Sequence, residues 1–245
     1  MNLLISNDDG ISSNGIKALE KVLSQKYKVF VIAPLKEKSA TSQAMSITER
    51  LRVEKVYENH YIVDGFPVDC VNIGIFGNIF PKIDIVISGI NRGVNMGHDV
   101  HYSGTVGAAR HAAIHNKYAF AVSSGKIDRD SDYTREAEII LQLLQEKLSV
   151  FKKGVVYNIN FPEEFSPTLD SIEITQLGIR TYYDTYTVTQ LIDNIYEFYM
   201  GGSQLGHQFS PGSDFDAYYS KKIPLTPILL DTTDYKEIES LKNKF

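Results

Sequence analysis

Short apolar blocks and longer amphipathic blocks alternate along the first two thirds of the chain. The apolar blocks predict buried strands over 2–6, 29–33, 83–88, 119–123 and 155–159. Apolar positions at helical spacing predict helices over 15–25, 69–77, 105–115 and 135–148. Because strands that alternate with helices form parallel sheets covered on both faces, we predict a Rossmann-like, doubly wound α/β fold with a mainly parallel sheet.

Other segments depart from this alternation. Residues 35–48 are polar and rich in Ser and Thr, which indicates a functional loop. Residues 51–56 and 60–64 predict a β-hairpin. After about residue 160 the pattern changes. It predicts antiparallel hairpins over 172–200, an irregular stretch over 201–216, a strand over 224–230 and a helix over 235–241.

The change in pattern after about residue 160 predicts that the chain is organised in two parts. Residues 1–165 would form the Rossmann-like catalytic core, and residues 166–245 a β-hairpin arm whose C-terminal segment returns to the core. An exposed β-arm of this kind often pairs with, or exchanges into, a second copy of the chain. We therefore expect the arm to mediate homo-oligomerisation.

Composition narrows the function classes. The 245 residues carry a net charge of −5, which is unfavourable for a general binder of nucleic-acid polymers. Cys70 is the single cysteine, so the chain has no internal disulfide, and its apolar neighbours favour a buried thiol over a catalytic one. No apolar run approaches the ~20 residues that span a bilayer, and the first residues do not resemble a signal peptide. We expect a cytoplasmic protein without membrane association.

Two adjacent carboxylates, Asp8 and Asp9, follow the first predicted strand and precede Gly10. In open α/β sheets, ligands bind beyond the carboxyl ends of the strands. Carboxylate oxygens there suit Mg²⁺ or Mn²⁺, and two neighbouring carboxylates repel unless a cation or donor lies between them. A simple turn with a helix N-cap is the alternative, since Asp favours both.

Two later loops carry further polar candidates. Ser39 lies in the polar loop, where its hydroxyl suits either a cation or a phosphate, although spacing alone favours a solvated loop without such a role. Asn91 and Asn95 lie in a Gly-rich loop after the third core strand. Their amides offer oxygens to a metal and N–H groups to an oxyanion, whereas turns that contain Asn are the structural alternative.

Ser103, Gly104 and Thr105 open the helix predicted over 105–115. Free backbone N–H groups at a helix start, together with two hydroxyls, are typical of a phosphate-binding site. An ordinary Ser or Thr cap is the alternative. No G-x-G-x-x-G or Walker A motif is present, which disfavours a dinucleotide site or a P-loop.

The motifs together resemble the SurE family, the stationary-phase survival proteins, which are metal-dependent 5′/3′-nucleotidases. The resemblance rests on order and spacing and is carried by SNDDG (6–10), VIAP (31–34), Ser39, DCV (69–71), SGINRG (88–93) and SGTV (103–106). It implies a swapped C-terminal arm that forms dimers or tetramers. It also implies hydrolysis of nucleoside 5′- and 3′-monophosphates, with short polyphosphate as a further substrate of some members.

The resemblance also assigns residues. It implies that one divalent cation per subunit, Mg²⁺ or Mn²⁺, is held by Asp8, Asp9, Ser39 and Asn91. It implies that the substrate phosphate lies near Asn95, Ser103, Gly104 and Thr105. In the resulting hypothesis, Asp8, Asp9 and Asn95 are catalytic: the carboxylates act with the cation, and Asn95 stabilises the phosphoryl oxygens.

Three alternatives stay open at this point. One Asp, more plausibly Asp8, acts as general base, or Asp8 is a nucleophile that forms an aspartyl-phosphate. A phosphatase of the haloacid-dehalogenase type also has Asp after its first strand, but it needs Asp-x-Asp rather than an adjacent pair. A nucleotide-binding regulatory module without turnover is the non-enzymatic alternative, because fold alone does not imply activity.

Overall fold

The computed structural model describes residues 1–192, 194–201 and 205–244. Within these ranges the strands are β1 (Asn2–Ser6), β2 (Lys28–Pro34), β3 (Val53–Tyr57), β4 (His60–Val63), β5 (Ile85–Arg92), β6 (Tyr118–Ser124), β7 (Val156–Phe161), β8 (Ile172–Ile174), β9 (Ile179–Tyr182), β10 (Thr185–Ile192), β11 (Ile195–Gly201), β12 (Leu205–Gln208) and β13 (Ile223–Ile228). The α-helices are α1 (Asn14–Leu23), α2 (Pro67–Phe76), α3 (Gly104–Ile114), α4 (Thr134–Lys147), α5 (Asp214–Tyr219) and α6 (Tyr235–Lys242). In the described ranges, no helix has the length and apolar character needed to cross a bilayer.

Nine strands form one central sheet in the order β3-β4-β2-β1-β5-β6-β7-β13-β8. The inner strands from β4 to β7 are all parallel, whereas β3 and β13 run antiparallel to β4 and β7. The chain builds outward from β1 in one direction and from β5 in the other, so the switch point of the sheet lies between these two strands. The predicted doubly wound α/β fold is confirmed.

Helices cover both faces of the sheet. On β1, Leu3 and Ile5 pack in the core beneath α1 and α4, while Leu4 packs in the core beneath α2 and α3. Successive side chains of a strand point to opposite faces, so a fully apolar strand is buried on both sides. This double burial holds the ends of β1 and β5 in fixed positions at the sheet edge.

The C-terminal third differs in part from its prediction. The segment predicted as hairpins does contain an antiparallel pair, β10 with β11, but β8 joins the central sheet parallel to β13. The prediction of an irregular stretch over 201–216 was wrong in two places. This stretch contains β12, which pairs with β9, and the first residues of α5. Residue 193 of the hairpin prediction, residues 202–204 of the irregular stretch and residue 245 of the predicted arm lie outside the described residues.

The polar loop over 35–48 is held against the start of α3. Ser42 N donates to the carbonyl of Tyr102 at 2.8 Å, and the Ser42 hydroxyl donates to the carbonyl of His101 at 2.6 Å. At the other end, Ser46 donates through its backbone N–H and hydroxyl to the carboxylate of Asp69. A side chain at Gly107 would overlap the carbonyl of Ser42, so this glycine allows the loop to approach the helix.

We predict that Gly107→Ala destabilises the protein. In an exposed helix interior this change stabilises by roughly 1 kcal/mol, because alanine is the better helix former. Here the added methyl group would displace the backbone at Ser42, and we expect the midpoint of thermal unfolding to fall. A higher midpoint in differential scanning calorimetry would contradict this packing.

Candidate active site

The turn that carries Asp8 and Asp9 is built by other residues. The Asn7 side chain accepts from Gly10 N at 3.1 Å and donates to the Gly10 carbonyl and to Ser13 Oγ. Ser13 is the N-cap of α1 and accepts from Ile16 N. The turn and cap roles that formed the structural alternative for the Asp pair are therefore filled by Asn7 and Ser13.

Asp8 is buried and fixed. Its Oδ1 accepts from the Thr105 hydroxyl at 2.6 Å, and its Oδ2 accepts from Thr105 N at 3.2 Å. Burial raises the pKa of Asp8 to about 6, the neighbouring charge of Asp9 adds to the rise, and the Thr105 hydroxyl opposes it. A cation beside the carboxylate would favour its ionised form.

Asp9 is less buried and lies next to Arg92. Its Oδ2 accepts from Arg92 N at 3.3 Å, and its Oδ1 lies 3.6 Å from Arg92 Nη2. Burial raises the pKa of Asp9, whereas the backbone N–H and the guanidinium of Arg92 lower it. Arg92 also pairs with Glu37 at 3.1 Å, so its charge is shared between two carboxylates.

One cavity of about 1010 Å³ gathers most of the predicted site residues. Those on its wall are Asp8, Asp9, Ser39, Asn91, Asn95 and Ser103. They come from the ends of β1 and β5, the polar loop and the start of α3, which lie at the carboxyl edge of the sheet. This edge is the position where open α/β sheets bind ligands. Gly104 and Thr105 lie behind the wall rather than on it.

The oxygen atoms around Asp8 and Asp9 are a suitable donor set for a hard divalent cation. Asn91 Nδ2 donates to the Gly93 carbonyl at 2.7 Å, and this bond orients the side-chain amide. The amide oxygen Oδ1 is not used in this bond. The Ser39 hydroxyl is exposed and donates to Glu37 at 3.1 Å. Within the described residues, no three His, Cys, Asp or Glu side chains gather into a metal-binding group. A cation here would therefore need the neutral oxygens of Ser39 and Asn91 besides the two carboxylates.

The backbone of Asn95 is held by two side chains of β7. Its carbonyl accepts from Asn158 Nδ2 at 2.8 Å and Asn160 Nδ2 at 3.2 Å, and its N–H donates to Asn160 Oδ1 at 2.7 Å. Its side-chain amide donates to Ser123 Oγ at 2.9 Å. Buried hydrogen bonds of this number fix the backbone of the loop at Asn95, on the wall of the cavity.

The start of α3 approaches Asp8 closely. Ser103 is the N-cap, and its hydroxyl accepts from Val106 N at 3.1 Å. A Cβ at Gly104 would lie 3.1 Å from Asp8 Oδ2 and 3.0 Å from Thr41 Oγ1, so a larger residue would crowd the carboxylate. Thr105 is fully buried, and both of its polar backbone and side-chain donors point to Asp8.

Several residues near the site were not predicted from the sequence. Glu37 connects Arg92 with Arg129, whose Nη2 lies 3.5 Å from Glu37 Oε2. Asn158 and Asn160 occupy β7 in an otherwise apolar strand. Two asparagines spaced by two residues inside a buried strand were the one available hint, since buried amides need hydrogen-bond partners.

Comparison with known proteins identifies relatives over the whole chain. The family model described as "Survival protein SurE" matches residues 3–184. The 5′-nucleotidase SurE of Leptospira interrogans serovar copenhageni is 58% identical over 243 residues, which cover 99% of this chain and 97% of that protein. The 5′/3′-nucleotidase SurE of Wigglesworthia glossinidia brevipalpis is 37% identical and covers 100% of this chain and 98% of that protein.

A solved structure agrees with the sequence comparison. The crystal structure of the SurE protein from Aquifex aeolicus superimposes with a TM-score of 0.85 at 29% identity, and the match covers 100% of this chain and 99% of that one. The family match, the full-length relatives and the shared fold lead to one conclusion, which is that the chain belongs to the SurE family.

Proposed function

We propose that this chain is a metal-dependent nucleotidase that hydrolyses nucleoside 5′- and 3′-monophosphates to a nucleoside and phosphate. The nucleotidase class follows from family membership and from relatives named 5′-nucleotidase SurE and 5′/3′-nucleotidase SurE. The observation that carries the metal dependence is the adjacent pair of buried Asp8 and half-buried Asp9 at the switch point of the sheet, next to neutral oxygen ligands. Short polyphosphate is a further proposed substrate.

The cation in this proposal is Mg²⁺ or Mn²⁺, one per subunit, and the residues that would hold it are Asp8, Asp9, Ser39 and Asn91. When bound, it neutralises charge on the phosphoryl group and lowers the pKa of a bound water. Thr105 is supported as a residue that orients Asp8, because its hydroxyl and N–H both contact that carboxylate. Outer partners of this kind keep ligands in position and tune affinity.

The substrate phosphate is proposed to lie between Asn95 and the start of α3. The N–H groups at a helix start attract anions, and the Ser103 N-cap and Asn95 both line the cavity. Gly104 belongs to this set through its backbone, since a side chain there would crowd the Asp8 carboxylate. Thr105, which the resemblance also places near the phosphate, contributes its contact with Asp8.

Phosphomonoester hydrolysis then needs one proton transfer on each side of phosphorus. A water oxygen forms a bond to phosphorus while the bond from phosphorus to the ribose oxygen breaks, and the water proton passes to a carboxylate of the Asp8–Asp9 pair. The leaving ribose oxygen takes up a proton from solvent water and becomes the nucleoside hydroxyl, and the carboxyl group of the Asp8–Asp9 pair returns its proton to solvent. Asn95 stabilises charge on the phosphoryl oxygens through its side chain on the cavity wall.

We also propose that the chain forms a dimer or tetramer through its C-terminal arm. Strands β10 and β11 are exposed on both faces and carry apolar side chains, among them Tyr186, Val188, Phe198 and Met200. An isolated two-stranded hairpin is marginally stable in water, and contiguous exposed apolar side chains are typical of interaction surfaces.

The first prediction from this proposal concerns turnover. We expect phosphate release from nucleoside 5′- and 3′-monophosphates with Mg²⁺ or Mn²⁺ and none with chelator. Asp9→Asn should lower kcat/KM by on the order of 100-fold or more, since the lost ligand charge supports several kcal/mol of transition-state stabilisation. Asp170→Asn, at an exposed carboxylate outside the cavity, is the matched control. Nucleotide binding without release under any of these cations would make the chain a regulatory binding module.

The second prediction separates the two roles of Thr105. We expect Thr105→Ala to raise the half-saturating Mn²⁺ concentration by roughly 10- to 100-fold, because Asp8 loses the hydroxyl donor and keeps only the backbone N–H of residue 105, and Thr105→Ser to restore it. The measurement is activity as a function of Mn²⁺ at saturating substrate. A higher KM for substrate with an unchanged Mn²⁺ requirement would instead assign Thr105 to the phosphate.

The third prediction concerns assembly. We expect sedimentation velocity to give a particle of two or four chains, because the apolar faces of β10 and β11 need a partner. The double substitution Val188→Ser and Phe198→Ser should weaken this assembly, since it replaces a directly paired apolar couple of the hairpin. A wild-type protein that sediments as one chain at micromolar concentration would contradict the proposal.

A further inference from the structure

The wall of the cavity continues from Ser103 to an uncovered aromatic ring. Tyr102 directly precedes the N-cap of α3, lines the cavity and is 58% exposed. Aromatic rings in ligand cavities supply apolar contact area to the ligand. Because solvent reaches the Tyr102 ring, part of its apolar surface is free to contact a ligand. The position is one residue from the proposed phosphate site, so the ring lies within reach of the organic part of a phosphorylated ligand bound there.

The backbone of Tyr102 is fixed although its ring is exposed. Tyr102 N donates to the Asp99 carbonyl at 3.0 Å, and its own carbonyl accepts from Ser42 N at 2.8 Å. Ser103 N donates to the same Asp99 carbonyl at 3.0 Å. These bonds tie the residue to the 3₁₀ turn over Gly97–His101 and to the polar loop. A ligand that contacts the ring therefore meets an element that loses little backbone freedom on binding.

The ring of Tyr102 packs against Tyr182 without being covered by it. The two ring centroids are 5.8 Å apart and the planes are nearly perpendicular, at 88°. Perpendicular pairs are a favourable aromatic geometry, and they leave at least one flat face of Tyr102 free of its neighbour. That face is available to stack on a planar group.

Tyr182 is itself held by a partly buried ion pair. Its hydroxyl donates to Asp99 Oδ1 at 2.7 Å, while Asp99 Oδ2 accepts from Arg180 Nε at 2.9 Å and Nη2 at 2.6 Å. The Arg180 guanidinium lies 4.6 Å from the ring centre of Phe215, and its side chain is 7% exposed. We name Asp99, Arg180 and Tyr182 the brace. Paired, hydrogen-bonded charges of this kind are costly to separate, so the brace keeps Tyr182 beside Tyr102.

We propose that Tyr102 is the platform on which the nucleobase of the substrate stacks, and that the brace positions it. This proposal rests on the proposed function, because it assigns the organic half of a nucleoside monophosphate to the cavity wall next to the phosphate site. Stacking on an aromatic ring is tolerant of base identity, because every base has a π-face. The platform therefore predicts small differences in KM between purine and pyrimidine nucleotides.

The experiment compares a substrate that has a base with one that lacks it. Wild type, Tyr102→Ala and Tyr102→Phe are each assayed with AMP and with ribose 5-phosphate. Ribose 5-phosphate serves as a substrate or, if it is not hydrolysed, as a competitive inhibitor. We expect Tyr102→Ala to raise the KM for AMP about tenfold, as for the loss of one base–aromatic stack, and to leave the constant for ribose 5-phosphate unchanged. Tyr102→Phe keeps the ring and should behave as wild type.

Tyr183→Ala is the matched control, because Tyr183 is also 58% exposed but does not line the cavity. Tyr182→Phe tests the brace, since it keeps the ring and removes the donation to Asp99, and we expect a smaller rise in the KM for AMP alone. Equal changes for AMP and ribose 5-phosphate, or no change for AMP, would overturn the platform.

Failure of the proposed function gives a different result. In that case the wild type releases no phosphate from AMP under any cation, whatever residue stands at position 102. Equilibrium binding of AMP and ribose 5-phosphate then decides the platform by itself. A weaker Kd of Tyr102→Ala for AMP alone would support it, and equal affinities of wild type and Tyr102→Ala for AMP would overturn it.

Discussion

Two neighbouring carboxylates held at the end of a buried strand are the constraint on which the rest of the site depends. Asp8 and Asp9 follow β1, where apolar packing on both faces of the sheet leaves little freedom for the backbone. Burial and mutual charge disfavour two ionised carboxylates unless donors or a cation compensate. The elements around the pair supply the hydrogen-bond donors that compensate these charges.

The compensation comes from parts of the chain that are distant in sequence. Thr105 at the start of α3 donates twice to Asp8, and Arg92 at the end of β5 donates to Asp9. The Asn7 side chain makes the hydrogen bond that closes the turn, so the two carboxylates are not needed for it. The carboxylate oxygens thus face a cavity at the switch point, where parallel strands leave space for a ligand. The polar loop closes one side through Ser39 and its contacts with α3.

The C-terminal third does two things in this structure. Strand β13 extends the central sheet next to β7, so this part of the chain belongs to the same sheet as the first two thirds. Strand β9 also places Arg180 and Tyr182 on the wall of the same cavity. A segment that looks like an oligomerisation element in the sequence therefore also shapes the site. The proposed assembly through the C-terminal arm would couple the oligomeric state to the geometry of this wall.

The sequence by itself determined the parallel core, because periods of 2.0 and 3.6 residues are local properties that survive without tertiary contacts. It also indicated which motifs would meet, since the carboxyl ends of parallel strands share one edge. Only the tertiary structure decided that Thr105 contacts Asp8, that β8 joins the central sheet rather than a hairpin, and that Asp99 binds Arg180. Strand partners and side-chain orientation depend on contacts between residues far apart in the chain, which no local pattern specifies.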